Sequence, residues 1–176
     1  MKILFIVLAI IVLYFLISIW ALKKPRRLLK LGITKYNDGN YEDALQQLNA
    51  SIKINPLNAN PYLYRAYCKT NLGDYRGAID DYTEVMKRKN PTADDYLNRG
   101  SMKHNIEDYE GAIADFTQAT YVNEQDSDAY YNRGLSYSKQ GYVKAATLDW
   151  NIAAGFGNEK AINSLQRLEN EKDNNG

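Results

Sequence analysis

The sequence predicts an all-α chain: an apolar N-terminal helix, then a stack of helical hairpins closed by one more helix. Three observations predict it. Residues 3–22, ILFIVLAIIVLYFLISIWAL, run for twenty positions without a charge. DYRGAIDDY at 74–82 returns almost unchanged as DYEGAIADF at 108–116, thirty-four positions on. Between such returns the chain alternates amphipathic stretches with breaks, D-G-N at 38–40, L-G-D at 72–74 and Q-G-Y at 140–142, as paired helices require.

The first element is long enough to span roughly 30 Å of hydrocarbon at about 1.5 Å per residue. A secretory signal has a shorter apolar core and a small-residue cleavage site, whereas this run ends in ISIWALKKP. It reads as a transmembrane anchor, residues 1–24 with its basic flank. Six of the 22 Lys and Arg fall before residue 31, where there is no acid; the other 16 face 21 acids, a net of −5. The bases after the span, KKPRRLLK, outweigh Lys2 before it, so the remainder of the chain is expected on the cytoplasmic side of a bacterial inner membrane, as a single-pass protein. The same bases suit anionic headgroups.

Laid on itself at period 34, the chain gives four columns. Gly32, Ala66, Gly100 and Gly134 form one; Ala44, Ala78, Ala112 and Ala146 another; Leu48, Tyr82, Phe116 and Trp150 a third; Ser51, Val85, Ala119 and Ala153 the last. Small residues let two helix backbones approach, and the large column fills the space beside them. The expected units are 25–58, opening with Pro25, then 59–92, 93–126 and 127–157. Residues 158–170 place Ala161, Ile162, Leu165 and Leu168 on one stripe and supply a capping helix, since stacked hairpins need a polar end. Residues 171–176 are expected to be disordered. In the third unit Glu107 stands where the turn glycine belongs, which predicts a turn there that is either strained or differently shaped.

The period, the small eighth residue, glycine fifteenth, tyrosine seventeenth and alanine twentieth resemble the tetratricopeptide repeat, most closely its bacterial N-R-G type, seen in LNRGSMK at 97–103 and YNRGLSY at 131–137. The resemblance covers residues 59–154 well and 25–58 weakly. It implies a right-handed α-solenoid whose first helices line a concave groove that binds a protein or an extended peptide. At steps of three, four and seven, the groove residues are Leu63, Tyr64, Tyr67 and Asn71, then Leu97, Asn98 and Asn105, then Tyr131, Asn132 and Leu135. Tyrosines offer large contact area with a polar tip, and asparagines donate to and accept from a peptide backbone. The Lys-Asn-Arg carboxylate clamp of the chaperone-binding members is missing: Leu29 and Ile33, or Leu63 and Tyr67, stand at the fifth and ninth positions where it begins.

Arg65, Arg99 and Arg133 recur at the period, as do Asp81, Asp115 and Asp149. A repeated pair is expected to join helices; a charged binding ladder is the competing reading. The acid pairs Asp80-Asp81 and Asp94-Asp95 read by default as solvated surface. Cys68 and His104 are single copies, and no CxxC, HExxH, GxxxxGK or GxSxG occurs. The expectation is therefore no catalysis, no metal and no cofactor, no small-molecule substrate, and, with a domain of −5, no nucleic acid. The function read from the sequence is a membrane-anchored adaptor or scaffold that binds a partner protein. The alternative is an ancillary subunit of a membrane assembly or export complex with a periplasmic repeat domain.

Overall fold

The computed structural model describes residues 2–173, with side chains described for 5–15 and 23–170. The described residues form nine α-helices in two compact units, residues 1–72 and 73–176.

The first unit holds α1 (Lys2–Asn37), α2 (Tyr41–Ile54) and α3 (Ala59–Asn71). Helix α1 runs unbroken through Pro25, across the boundary expected between anchor and first repeat. A proline inside a helix removes one backbone donor; here Ser51 Oγ, from α2, donates to the Pro25 carbonyl at 3.0 Å and pins that turn. Further along, Gly32 lies against Leu48, and Lys35 Nζ is 3.5 Å from Asp43. These three contacts run in opposite directions on α1 and α2, which makes the pair an antiparallel hairpin. Among the described residues no helix is long and apolar enough to cross a membrane. The span read from the sequence therefore finds no support there, and its residues 3, 4 and 16–22 have side chains outside those described. Residues 5–15 show their apolar side chains to solvent on every side of α1, from Val7 at 47% exposed to Tyr14 at 74%.

The second unit holds α4 (Tyr75–Arg88), α5 (Ala93–Asn105), α6 (Tyr109–Val122), α7 (Ser127–Lys139), α8 (Val143–Gly155) and α9 (Glu159–Asp173). Each helix packs on the next. Helix α9 covers α8, with Ala161 buried in the cluster of Ala146, Trp150 and Ala153, and Leu165 and Leu168 lying against it. The disordered tail expected from residue 171 begins inside α9, which continues to Asp173; residues 174–176 lie outside those described.

Local chemistry explains the near-identical nonapeptides. Asp74 and Asp108 cap α4 and α6, each accepting from the amide three residues on, Gly77 at 2.9 Å and Gly111 at 3.0 Å. A Cβ on Gly77 would lie 2.2 Å from the Asp74 carboxylate, and one on Gly111 2.3 Å from that of Asp108. Glycine at this position lets the capping carboxylate fold back onto its amide. Helices α2 and α8 begin at Asn40 and Tyr142 without a side-chain cap, and there the third residue is Asp43 or Ala145.

The four period-34 columns are buried throughout, from Ala44 and Leu48 at 0% to Trp150 at 5% exposed. Asp81 and Asp95 are buried too, at 1% and 2%, so one acid of each adjacent pair departs from the solvated reading. Successive helical residues face different sides, and the inward acid has a partner: Asp95 receives Lys89 Nζ at 2.9 Å and forms the capping box with Thr92 at the start of α5. The turn before α6 is tight in the way glycine serves best, with Glu107 at φ 65° where the other turns place Gly39, Gly73 and Gly141 at 77–81°.

Glu107→Gly should therefore raise stability by about 0.5–1 kcal/mol, despite the extra freedom glycine gives the unfolded chain. The check is the urea midpoint at unchanged slope; a lower midpoint would mean that Glu107 makes a compensating interaction.

Candidate functional site

In the first unit the predicted residues sit on α3. Tyr64 and Tyr67 are half-buried, Leu63 likewise, and Asn71 is exposed. The two tyrosines meet edge-on at 5.7 Å between ring centroids, and both lie 5.9 Å from Tyr36 of α1. Tyr36 in turn is 5.8 Å from Tyr41 of α2. Four phenols from three helices thus form one cluster, within the separation at which aromatic pairs attract. Asn71 closes it, donating to the Tyr67 carbonyl at 2.8 Å and bonding the Tyr36 side chain. Burial, and then neighbouring Tyr41, push the Tyr36 phenol above its ordinary range. Sequence reasoning missed Tyr36 and Tyr41. The signal existed, because Tyr41 belongs to the tyrosine column with Tyr75 and Tyr109, and Tyr36 lies five residues before it.

In the second unit the predicted residues lie on neighbouring helices α5 and α7. Leu97, Asn98, Tyr131, Asn132 and Leu135 are half-buried, and Asn105 is exposed. Tyr131 and Leu135 pack on the Trp150 cluster, and Trp150 Nε1 donates to the Tyr131 carbonyl at 3.2 Å, so both are partly core. The side-chain amides of Asn98 and Asn132, one period apart, meet no hydrogen-bond partner among the described residues. Such half-buried amides are open to a ligand's backbone. His104 bridges the two helices. Its Nδ1 is 2.8 Å from Ser136 Oγ, while that hydroxyl lies 3.0 Å from the Asn132 carbonyl and donates to it. The His104 ring meets Tyr109 edge-on at 5.2 Å. Burial, and then Lys139, hold the imidazole below its ordinary value of 6.5.

The repeated arginines find their partners inside the molecule. Arg99 grips Asp115 with both arms, Nε to Oδ2 at 2.9 Å and Nη2 to Oδ1 at 2.6 Å, and reaches Thr83 of α4 at 3.2 Å with Nη1. Lys103 adds a second cation to Asp115 at 2.9 Å. Arg133 grips Asp149 in the same fork at 2.8 Å on both arms and reaches Thr117 and Thr120 of α6. Arg65 donates to Asn49 of α2 at 2.7 Å and lies over the Tyr62 ring. Each arginine thus reaches back sixteen residues, and the two in the second unit also reach forward sixteen. Planar two-armed contacts of this kind join helices, as the repetition at the period leads one to expect.

Cys68 is fully buried, and burial raises its thiol to about 11, so it packs as a small apolar group. A shallow depression of about 660 Å³ lies at the turn between α7 and α8, lined by Tyr137, Tyr142, Val143 and Lys144 among others. None of the predicted residues lines it.

Paired helices at a 34-residue period with a glycine-to-aromatic contact define a helical-repeat fold. Comparison with known families assigns it: a tetratricopeptide-repeat model matches residues 29–94, and a TPR-repeat model matches residues 100–141. The chain carries tetratricopeptide repeats. Among solved structures it is similar to MamA 41-end from Desulfovibrio magneticus RS-1, with TM-score 0.79, 21% identity, and 85% of this chain and 86% of that one covered. It is also similar to YrrB, described as a TPR protein with an unusual peptide-binding site, with TM-score 0.68, 16% identity, and coverage of 73% and 66%. The Arabidopsis OM64 TPR domain matches at TM-score 0.62 and 24% identity over 68% of this chain and 98% of that one. A comparison with curated proteins gives no match.

Arg99→Ala leaves the 3%-exposed Asp115 with Lys103 alone and should cost about 3 kcal/mol, while Arg99→Lys, lacking the fork, should recover only part. Urea melts of the three proteins decide it; an unchanged midpoint in Arg99→Ala would make the fork ornamental. His104 predicts a pH dependence. Its folded value is depressed, so the unfolded chain binds the proton first, and stability present above about pH 6.5 is lost as pH falls toward the folded value. The difference between wild type and His104→Asn should accordingly shrink through that window, as followed by thermal melts at stepped pH.

Proposed function

We propose that this protein is a non-catalytic adaptor that holds a partner protein or extended peptide through residues of its repeat helices, and is tethered to a membrane by residues 3–22. Four repeats, 25–58, 59–92, 93–126 and 127–157, with a capping helix from 158, make up the binding domain. The observation that carries the reading is the pair of half-buried, unpartnered amides of Asn98 and Asn132, flanked on the same helices by Leu97, Asn105, Tyr131 and Leu135. An amide left open in each of two successive repeats offers a donor and an acceptor one period apart, which suits an extended backbone.

In the first unit the tyrosine cluster, with Leu63 and Asn71 beside it, supplies a second contact surface. Its rings brace one another, so they lose little freedom on binding, and tyrosine is enriched where interfaces concentrate their energy. That YrrB, of the same fold, is described as having a peptide-binding site is consistent with this use.

Two features support the tether. Residues 3–22 are apolar for the length of a bilayer core, and the large apolar side chains of 5–15 are all about half exposed or more, on every side of α1. The bases that follow orient the repeats to the cytoplasmic face.

Photo-cross-linking in intact membranes tests the binding surfaces, with the photoreactive residue at Tyr67 or Asn132 and, as control, at Glu84, which is occupied by Lys87 and Arg88. Specific adducts from the first two positions and none from Glu84 are expected. Equal adducts from all three positions, or none from Tyr67 and Asn132, would overturn the assignment.

A further inference from the structure

The turn between α7 and α8 departs from its counterparts in charge and in surface. Where the third hairpin has Asn105, Asp108 and Glu110, the fourth, one period on, carries Lys139, Tyr142 and Lys144. From residue 129 to residue 148 the chain has three bases, Arg133, Lys139 and Lys144, and no acid. Arg133 is held by Asp149, whereas Lys139 and Lys144 are exposed and meet no carboxylate among the described residues. The backbone of the turn is unchanged: the Tyr142 amide donates to the Tyr137 carbonyl at 2.9 Å, as the Asp108 amide does to that of Lys103. Asp108 uses its position to cap α6, but Tyr142 makes no side-chain cap for α8.

In place of the cap there is an apolar surface. Tyr142 is 59% exposed and Val143 47%, and with Tyr137, Gly141 and Lys144 they line the depression of about 660 Å³. Tyr137 packs against the Trp150 cluster and meets the Tyr142 ring edge-on at 6.3 Å, so the core holds the inner of the two rings. Leu148, one turn beyond Lys144 on α8, is 63% exposed where the earlier hairpins have Gln46, Asp80 and Ala114. A capping acid would stabilise α8, so the fold alone gives no reason for a tyrosine at 142.

We propose that this turn is a docking point, separate from the groove residues, for an acidic partner segment that carries one large apolar side chain. The side chain enters the depression against Tyr137, Tyr142 and Val143, and carboxylates beside it meet Lys144 and Lys139. Charge selects this occupant: two free cations next to an apolar wall complement acids next to an apolar anchor. The exposed tyrosine at the rim is of the residue type on which interfaces concentrate their energy. An anionic membrane surface would meet the same lysines, but it offers no protruding side chain to fill a depression. Nucleic acid is disfavoured by the net charge of −5 beyond residue 30.

The test titrates an acetylated and amidated Asp-Glu-Phe-Asp-Glu peptide, up to millimolar, into the isotope-labelled full chain in a zwitterionic detergent and follows the amide resonances. Shifts should concentrate on Gly141, Tyr142 and Val143. K139Q/K144Q should weaken binding on the order of tenfold, and replacing the peptide's phenylalanine by alanine about as much. Tyr142→Asp restores the acid that Asp108 supplies to the third hairpin, so it should keep or raise the melting temperature while losing affinity on the order of tenfold. K53Q/K160Q, with the same loss of charge elsewhere, should bind as wild type. No shift, an unchanged Tyr142→Asp, equal binding of the alanine peptide, or an equal effect of K53Q/K160Q would overturn the site. Shifts at Asn98 and Asn132 in place of the turn would seat the peptide in the groove, overturning the turn site and leaving the groove reading intact. Shifts of the turn amides on moving the full chain from phosphatidylcholine to phosphatidylglycerol nanodiscs, without peptide, would make the patch a membrane contact and overturn the partner assignment.

Discussion

The contact on which the rest depends is the seating of one large side chain against the missing side chain of a glycine. Leu48 lies on Gly32, Phe116 on Gly100 and Trp150 on Gly134, and a Cβ at those glycines would come within 2.5–2.8 Å of the larger residue. The distance between paired helices is therefore set by what glycine lacks. The alanines one turn away, Ala44, Ala112 and Ala146, are all fully buried and complete the close approach. Interiors packed to this density tolerate neither added nor removed volume, which is why the columns hold their character while their neighbours vary.

In the second unit that spacing also makes the polar fork possible. Arg99 precedes Gly100 and Asp115 precedes Phe116; Arg133 precedes Gly134 and Asp149 precedes Trp150. Wherever glycine and aromatic meet, the preceding residues are brought within hydrogen-bonding reach, and a guanidinium is wide enough to hold the carboxylate by both oxygens while touching the helix before. The salt bridge is thus a consequence of the apolar contact and not its cause. A buried pair of this type adds little net stability over apolar packing but penalises any slip that separates it. It defines register, and the hydrophobic column supplies the driving force.

Much of this was legible in the sequence, because packing columns and forks recur and a recurrence at the structural period announces itself. The four buried columns, the Arg-Asp pairing and the place of the strained turn, at Glu107, could be read in advance for that reason. What was not legible is what occurs once. Pro25 looked like a boundary, yet α1 continues through it and its carbonyl accepts from Ser51, a contact between residues twenty-six apart that no local rule encodes. The tyrosine cluster was half seen: Tyr64 and Tyr67 lie on one helix face, but Tyr36 and Tyr41 join them only through the fold. Asp81 and Asp95 looked solvated because sequence gives the helix face of an acid only when the phase of the helix is known.

The two units also show why a repeat scaffold does not reveal its partner through its packing. At matching points of the period, Tyr36 meets Tyr41 in the first unit and His104 meets Tyr109 in the second, ring against ring at 5.8 Å and 5.2 Å. Tyr64 corresponds to Asn98 and Asn132, and Tyr67 to Ser101 and Leu135. The geometry of these positions is inherited from the columns beneath them, while their chemistry changes from aromatic to polar without cost to the fold. Residues that the core does not constrain are the ones free to be chosen for a ligand. On that logic the informative substitutions are those that depart from the period where packing did not require it: the added tyrosines of the first unit, the open amides of the second, and Tyr142 in place of a capping acid.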